Sequence, residues 1–172
     1  LIEECNVRPE SIFIATFTEK AAKELVTRIT NELANRNITA NINEMYIGTF
    51  HSLCLRMLKE HLEYTRLRRN YRLMDSFDQQ YMVFQNIHRF RSIPEIEIVL
   101  PNGGAWKQAE TICNFVNNLS EELVSPEELM SDHDPSIASL GRMLQEYRTI
   151  LTEANLMDFS SIQIEAYRLL CE

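Results

Sequence analysis

Two stretches decide the fold of this chain: Thr16-Phe17-Thr18-Glu19-Lys20-Ala21-Ala22-Lys23-Glu24-Leu25 and Ile47-Gly48-Thr49-Phe50-His51-Ser52-Leu53-Cys54. Each places an aromatic ring and small hydroxyl side chains between an apolar run and a segment with helical periodicity. Such strand-to-helix junctions are where α/β proteins commonly bind ligands. Two of them in one short region predict a single binding edge built from two loops.

The first part of the chain alternates predicted strands and helices. Ser11–Phe17 is a nearly continuous apolar run, which predicts a buried strand of a parallel sheet. Thr18 is the predicted N-cap of a helix that reaches about Arg36. A second strand at Met45–Gly48 and a helix from Phe50 to Leu62 follow. This order is typical of a doubly wound sheet.

From about Leu73 onward the pattern becomes helical, apart from a predicted loop at Pro94–Gly104. The predicted helices cover Ser76–Phe90, Trp106–Leu119, a start at Ser125-Pro126, Pro135–Ala154 and Met157–Leu170. The predicted fold class is therefore α/β and predominantly helical, with an all-α block added to an α/β beginning.

Composition indicates an ordinary cytoplasmic protein. The 172 residues are 45% hydrophobic and 24% charged, enough for one domain or two small ones. We find neither an apolar run long enough to span a membrane nor a signal-peptide pattern. Cys5, Cys54, Cys113 and Cys171 lack the spacing of a zinc site, which predicts four reduced, mostly buried thiols.

Charge is distributed unevenly around a net of −8. Residues 1–91 hold 13 Lys and Arg against 11 Asp and Glu, whereas residues 92–172 hold 4 against 14. A surface for nucleic-acid phosphates is therefore expected only in the first half. The basic run Arg66–Arg72 in that half could contribute to such a surface; the alternative is that it forms a solvated turn.

The sequence contains no self-sufficient catalytic site. No Gly-x-x-x-x-Gly-Lys-Ser/Thr loop is present, and no apolar strand ends in paired carboxylates that would position magnesium. The four histidines, His51, His61, His88 and His133, are spread out. We therefore predict no catalytic, cofactor-binding or metal-binding residue in these 172 positions.

The two junctions resemble motifs Ia and Ib of UvrD/Rep/PcrA-type superfamily 1 DNA helicases. Tyr71–Asp75, followed by Asp78-Gln79-Gln80, is similar to the link after motif Ib in that family. Ala154–Ile162 is similar to the stretch, usually Asp-Phe-Asp-Asp, that leads back to the motor domain. The resemblance covers essentially the whole chain, in the family's order and spacing.

The resemblance implies a partial RecA-like (P-loop NTPase) parallel sheet with an inserted all-α subdomain. Residues 1–74 would belong to the 1A motor domain, 75–155 to the helical 1B subdomain, and 156–172 to a return helix to 1A. The family's motif I would precede this chain and its motif II would follow it. We therefore expect a piece of an ATP-dependent helicase that is inactive alone and binds no cofactor, whereas its parent uses ATP and Mg²⁺.

The resemblance also implies a set of DNA-binding residues. Single strands are held by aromatic stacking together with hydroxyl and amide contacts to phosphate. The residues expected on the strand-binding track are Phe17, Thr18, Thr49, Phe50 and His51, with Arg56 as a phosphate neighbour. The structural alternatives stay open: either phenylalanine can be a core residue, and Thr18 can be a plain N-cap.

One departure from the family pattern leaves alternatives open. Glu19 stands where the family commonly has Asn, and we expect it to cap the helix or face away from DNA phosphate. The main interpretation is a helicase of DNA repair or recombination whose partners are single-stranded and duplex DNA. A Glu at position 19 is similar to the RecB-like branch, so a helicase–nuclease subunit is one alternative. Another is a non-motor binding module with a protein partner at its acidic helical block. No membrane partner is expected.

Overall fold

Helices and two small parallel sheets make up the computed structural model, which describes residues 2–171 apart from the side chain of Glu3. The chain divides into two compact units, the first ending at His61 and the second beginning at Leu62. The strands are β1 (Phe13–Thr16), β2 (Tyr46–Thr49), β3 (Arg72–Leu73) and β4 (Leu156–Met157). The helices are α1 (Ile2–Cys5), α2 (Glu19–Asn35), α3 (Phe50–Glu60), α4 (Ser76–Gln85), α5 (Ile87–Arg91), α6 (Ala105–Glu121), α7 (Pro126–Met130), α8 (Pro135–Ala154) and α9 (Phe159–Cys171).

The first unit has the predicted β-α-β-α order. β1 pairs with β2 in parallel, in a register that sets Phe13 beside Tyr46 and Thr16 beside Thr49. The crossover between the strands contains α2, and both α2 and α3 pack against the pair. The small parallel sheet that the apolar runs predicted is thus confirmed.

The predicted burial of the first strand is wrong for this chain. A turn of 3-10 helix at Pro9–Ser11 delays the start of the strand to Phe13. Phe13 keeps 53% of its surface exposed and Ala15 is also exposed. Within residues 2–171 β1 has one strand neighbour, β2, so the sheet does not enclose it.

The second unit is built around a helical core. Its largest fully buried side chain is Phe90, and α4, α5, α6 and α8 pack around it. The other buried members are Met74, Met82, Val83, Ile96, Leu100, Ala109, Ile112, Cys113, Val116, Met143, Leu144, Tyr147, Ile150 and Leu151. Most of them come from the predicted helices, whose one-sided apolar spacing is confirmed.

The predicted helix Ser76–Phe90 is two helices, because Asn86 interrupts it. The Asn86 backbone N–H bonds to the carbonyls of Met82 and Val83, and its side-chain amide donates to Met82 O at 2.9 Å. A side chain that satisfies the last carbonyls of a helix favours its end. α5 begins directly afterwards at Ile87.

A second parallel pair, β3 with β4, was not predicted. Arg72 lies beside Leu156 and Leu73 beside Met157. Asn155, which ends α8 in the left-handed conformation (φ 52°), accepts hydrogen bonds from Arg68 N on its side chain and from Arg72 N on its carbonyl. The long α8 thereby returns the chain to the segment that precedes α4.

Half of the thiol prediction holds. Cys54 and Cys113 are buried, whereas Cys5 and Cys171 are exposed, so "mostly buried" is wrong for the two at the ends of the chain. All four are free thiols. Burial raises the pKa of the Cys113 thiol to about 12, with Asp158 adding to the effect, so this thiol stays protonated near neutral pH.

Residues 2–171 contain neither a cluster of metal ligands nor a helix that could span a membrane. In that range no group of three His, Cys, Asp or Glu side chains is arranged to hold a metal ion. None of its helices combines the length and the apolar character needed to cross a membrane.

A buried polar network joins four helices of the second unit. Gln79 on α4 donates to the Tyr147 hydroxyl at 2.7 Å and to Asn117 Oδ1 at 2.8 Å. Tyr147 on α8 donates to Oδ2 of Asp158, which is 4% exposed. The other carboxylate oxygen of Asp158 accepts from Ser161 N at 2.7 Å and caps α9. Burial raises the pKa of Tyr147 well above its usual range, so it remains a donor.

Replacing Asp158 by Ala should therefore lower the free energy of unfolding more than an ordinary cap mutation does. Each buried partner left without an acceptor costs about 1–3 kcal/mol. Asp134 is a matched control, because it also caps a helix, α8, but is exposed. Its loss should cost about 1 kcal/mol. Urea denaturation measures the free energy of unfolding of both variants. Equal losses for the Asp158 and Asp134 variants would contradict a stabilising role for the network.

Candidate nucleic-acid interface

The two junctions lie side by side at one edge of the first unit. β1 and β2 run parallel and end in register at Thr16 and Thr49, so the chain leaves both strands at the same edge. α2 begins after Thr18 and α3 begins after Thr49. Two helix N-termini, each with unpaired backbone N–H groups and a partial positive charge, therefore lie at this edge.

The threonine hydroxyls at the edge cap these helices. Thr18 Oγ1 accepts from Ala21 N at 3.1 Å, and Thr49 Oγ1 accepts from Ser52 N at 3.2 Å. The Thr16 hydroxyl ties the two junctions together, since it lies 3.0 Å from Thr18 O and 3.3 Å from Gly48 O. The N-cap expected at Thr18 is confirmed, and its hydroxyl can still donate a hydrogen bond.

The aromatic side chains at the edge face solvent. Phe17 is fully exposed, at 105% of the reference surface, and Phe50 is 50% exposed. The His51 ring lies next to that of Phe50, with centroids 6.5 Å apart and planes at 87°. A core role is therefore wrong for Phe17, whose surface is all available for stacking.

Glu19 does not face away from the edge, nor does it cap α2. Its carboxylate accepts a hydrogen bond from the Thr49 hydroxyl at 3.2 Å, across the gap between the two junctions. Thr18 fills the capping position instead. The edge thus carries one carboxylate among its hydroxyl and amide donors.

Arg56 lies away from the other predicted site residues. Its guanidinium stacks 4.0 Å from the centroid of Tyr46, pairs with Glu60 at 2.8 Å and donates to Met45 O at 2.8 Å. Tyr46 is the first residue of β2 and Thr49 the last, which separates Arg56 from the edge by about 10 Å along the strand. The structure brings together Phe17, Thr18, Thr49, Phe50 and His51 but not Arg56.

Gly48 allows β2 and α3 to approach closely. A Cβ atom at this position would lie 2.5 Å from the Ser52 hydroxyl oxygen and 3.5 Å from Leu53 Cδ2. Ser52 in turn donates to Thr49 O at 2.9 Å. A glycine directly before the second junction therefore sets the angle at which α3 leaves the strand.

Sequence reasoning missed an exposed aromatic cluster on the second unit. Phe77 and Tyr81 stack with ring centroids 6.3 Å apart, and Trp106 lies 5.9 Å from Phe77 and 5.5 Å from Phe84. The three residues on α4 follow the i, i+4, i+7 spacing of one helix face, a signal that the sequence contains. They are 37–65% exposed.

The 172 residues do not include the phosphate loop by which P-loop enzymes hold ATP. The four glycines, Gly48, Gly103, Gly104 and Gly141, are not followed by a Lys-Ser/Thr pair that would cradle phosphates. Residues 2–171 also provide no cluster of metal ligands. We therefore assign no step of nucleotide hydrolysis to these residues.

Comparison with known proteins gives consistent matches. The UvrD/REP helicase N-terminal domain family matches residues 1–172. The ATP-dependent DNA helicase SRS2 of Saccharomyces cerevisiae is 30% identical over 187 residues, covering 99% of this chain and 15% of that protein. DNA helicase II of Haemophilus influenzae is 31% identical over 171 residues, covering 98% of this chain and 22% of that protein. The chain thus spans less than a quarter of the length of these relatives.

Replacing Gly48 by Ala should destabilise the first unit, because the added methyl group overlaps the Ser52 hydroxyl. The Ser52 hydroxyl can rotate away only by giving up its hydrogen bond to Thr49 O, which costs about 1 kcal/mol. The double variant Gly48→Ala/Ser52→Ala removes the overlap and should be no less stable than Ser52→Ala alone. Gly103→Ala is the control, since nothing lies within 4 Å of a Cβ atom there. Urea denaturation distinguishes the cases, and a double variant less stable than Ser52→Ala would contradict the steric account.

Proposed function

This chain belongs to the UvrD/REP helicase family, and on that premise we propose that its two junctions bind single-stranded DNA within an ATP-dependent DNA helicase. The observation that carries the proposal is the common edge, at which both strands end, two helices begin and Phe17 is fully exposed. A base can stack on the ring while the adjacent phosphates accept hydrogen bonds from backbone amides.

The proposed contacts differ between the edge residues. Phe17 and Phe50 present the rings for base stacking, and His51 donates to phosphate or stacks beside Phe50. The Thr18 hydroxyl donates to a phosphate oxygen while still accepting from Ala21 N. The Thr49 hydroxyl is bonded to Glu19, so a phosphate at the second junction must first displace that carboxylate.

Arg56 supports binding indirectly in this proposal. Its contacts with Tyr46, Glu60 and Met45 O hold the start of β2 against α3. A residue that fixes the strand against the helix also fixes where Thr49 and Phe50 lie. We therefore propose Arg56 as a positioning residue and not as a phosphate ligand.

The finer fold assignment belongs to the same proposal. We take β1 and β2 as part of a RecA-like sheet, with residues 1–74 in a 1A motor domain, 75–155 in a helical 1B subdomain and 156–172 as the return to 1A. The parent would use ATP and Mg²⁺ bound by residues outside these 172 and unwind duplex DNA in repair or recombination. Alternatively, the parent is a RecB-like helicase–nuclease subunit.

Phe17→Ala should weaken binding of a labelled oligo-dT strand to the 172-residue chain at low salt. Loss of one base–aromatic stack costs about 1–3 kcal/mol, which is roughly 5–150-fold in affinity. Stability should change by less than about 0.5 kcal/mol, because the ring contacts solvent. Fluorescence anisotropy measures the affinity, and added salt should weaken it.

The matched control is Phe13→Ala. Phe13 is also exposed, but it is the first residue of β1, at the end of the strand opposite to Phe17, and stacks on Tyr46 with ring centroids 6.2 Å apart. Equal losses of affinity for the two variants, or no loss for Phe17→Ala, would contradict binding of single-stranded DNA at the junctions. In the parent enzyme, Phe17→Ala should lower strand-stimulated ATP hydrolysis more than basal hydrolysis.

A second candidate function, binding of a protein partner, is favoured by the aromatic cluster of Phe77, Tyr81, Phe84 and Trp106. Exposed aromatic groups of this size are typical of interaction surfaces. Residues 92–172 carry an excess of ten negative charges, so the partner that fits is a segment with an apolar face and basic flanks.

Trp106 is the single tryptophan of the chain and reports on this surface directly. An amphipathic Leu/Lys peptide should bind to the chain and shift the Trp106 emission to shorter wavelength, because the indole loses water. Phe77→Ser/Phe84→Ser should weaken binding by about tenfold or more, whereas Phe159→Ser, an exposed ring outside the cluster, should not. Equal binding of a Leu/Glu peptide, or no shift at all, would contradict a basic partner.

A further inference from the structure

A small arginine-lined cavity lies within the second unit. Its volume is about 120 Å³ and its floor is apolar, formed in part by Leu151, Leu156 and Met157. The charged residues that line it are Arg66, Arg68, Arg148, Glu165 and Arg168. Four arginines and one carboxylate therefore line the cavity, two of the arginines coming from the basic half of the chain and two from the acidic half.

The single carboxylate serves to orient two of the arginines. Glu165 Oε1 accepts from Arg66 NH2 at 2.6 Å and from Arg168 NH1 at 2.8 Å. Glu165 is only 14% exposed, whereas Arg66 and Arg168 are 64% and 36% exposed. Both guanidiniums are thus anchored on their inner side and keep other N–H donors available outward.

Arg148 brings a charge that no carboxylate neutralises directly. Its NH2 donates to the carbonyl of Val124 at 3.4 Å, and among residues 2–171 no Asp or Glu oxygen lies within 4 Å of its guanidinium. The side chain is half-buried, and burial lowers its pKa from the usual range; Glu127 and Glu165 oppose that shift and Arg66 adds to it. A half-buried cation of this kind gains from an anion that binds beside it.

The mouth of the cavity continues into an outer cleft of about 350 Å³ that shares Arg66, Arg148 and Arg168. Thr149 and Thr152 line it, as do two carboxylates, Glu127 and Glu153. Both carboxylates are already engaged, because Glu127 accepts from the Ser125 hydroxyl at 2.6 Å and Glu153 pairs with Arg89 at 2.7 Å. Three arginines against two carboxylates leave the lining of the cleft with a formal charge of +1.

We propose that this cavity binds a phosphate group. Guanidinium forks match the oxygens of phosphate in a bidentate arrangement, and the ligand restores the charge balance around Arg148. The phosphate can come from a free ion, a nucleotide, or the backbone of a nucleic acid. The site does not depend on the junction edge, since its lining residues all lie beyond Leu62.

The test titrates the 172-residue chain with inorganic phosphate, ADP and an oligo-dT strand, at constant ionic strength maintained with chloride. Isothermal calorimetry gives the affinity, and the melting temperature gives an independent measure. Arg148→Gln should lower the affinity for at least one of these ligands by about tenfold or more, because it removes a charged hydrogen-bond donor. Arg142→Gln, on the same helix but outside the cavity, should leave it unchanged.

Arg68→Gln is the second variant, because its side chain lines the cavity from a loop and is more readily lost without unfolding. Binding of inorganic phosphate or ADP that is sensitive to both variants identifies a free phosphate ligand, whereas sensitivity confined to oligo-dT identifies a backbone phosphate. In the latter case Arg148→Gln and Phe17→Ala should act additively, since the residues are independent. Affinities for all three ligands that neither Arg148→Gln nor Arg68→Gln changes would overturn the proposal.

Discussion

Parallel pairing of β1 with β2 is the constraint from which the geometry of the candidate DNA interface follows. Two parallel strands need a crossover that returns the chain to its starting end, and α2 lies in that crossover. Both strands must then end at one edge, so Thr16 and Thr49 become neighbours although 33 positions separate them. Helix N-termini, capping hydroxyls and the exposed ring of Phe17 are gathered there because the strands run in the same direction.

Local patterns predicted this edge well, whereas contacts between distant residues escaped them. Thr18 could be identified as a cap because its contact with Ala21 N spans only four positions. The strands could be identified because the apolar content of a short run is also a local property. β3 and β4 are two residues long and carry no period, so nothing in the sequence marked them. The burial of Asp158 depends on Gln79 and Tyr147, which are remote in sequence. The exposure of Phe13 depends on the number of strands beside β1, and a local sequence pattern does not specify that number.

Charge counted along the sequence gave a poor guide to charge available at the surface. Arg56 belongs to the basic half, yet its guanidinium already stacks on Tyr46 and bonds to Glu60 and Met45 O. Arg148 lies in the acidic half, yet its charge has no carboxylate partner within bonding distance among the described residues. The bonding of each guanidinium decides whether that arginine can bind a ligand, because an arginine already paired on both sides has few free donors.

The link at Asn155 sets the order in which the chain acquires its structure on the ribosome. In the first unit the strands that pair are close in sequence, as the Thr16–Gly48 contact, 32 positions apart, illustrates. Asn155 meets Arg68 only across 87 positions. At about 5–20 residues per second, the segment before α4 waits several seconds for its partner strand to be synthesised. The β1–β2 edge can therefore form while residues 72–73 still lack a partner strand, and the second unit closes only after residues 156–157 have been synthesised.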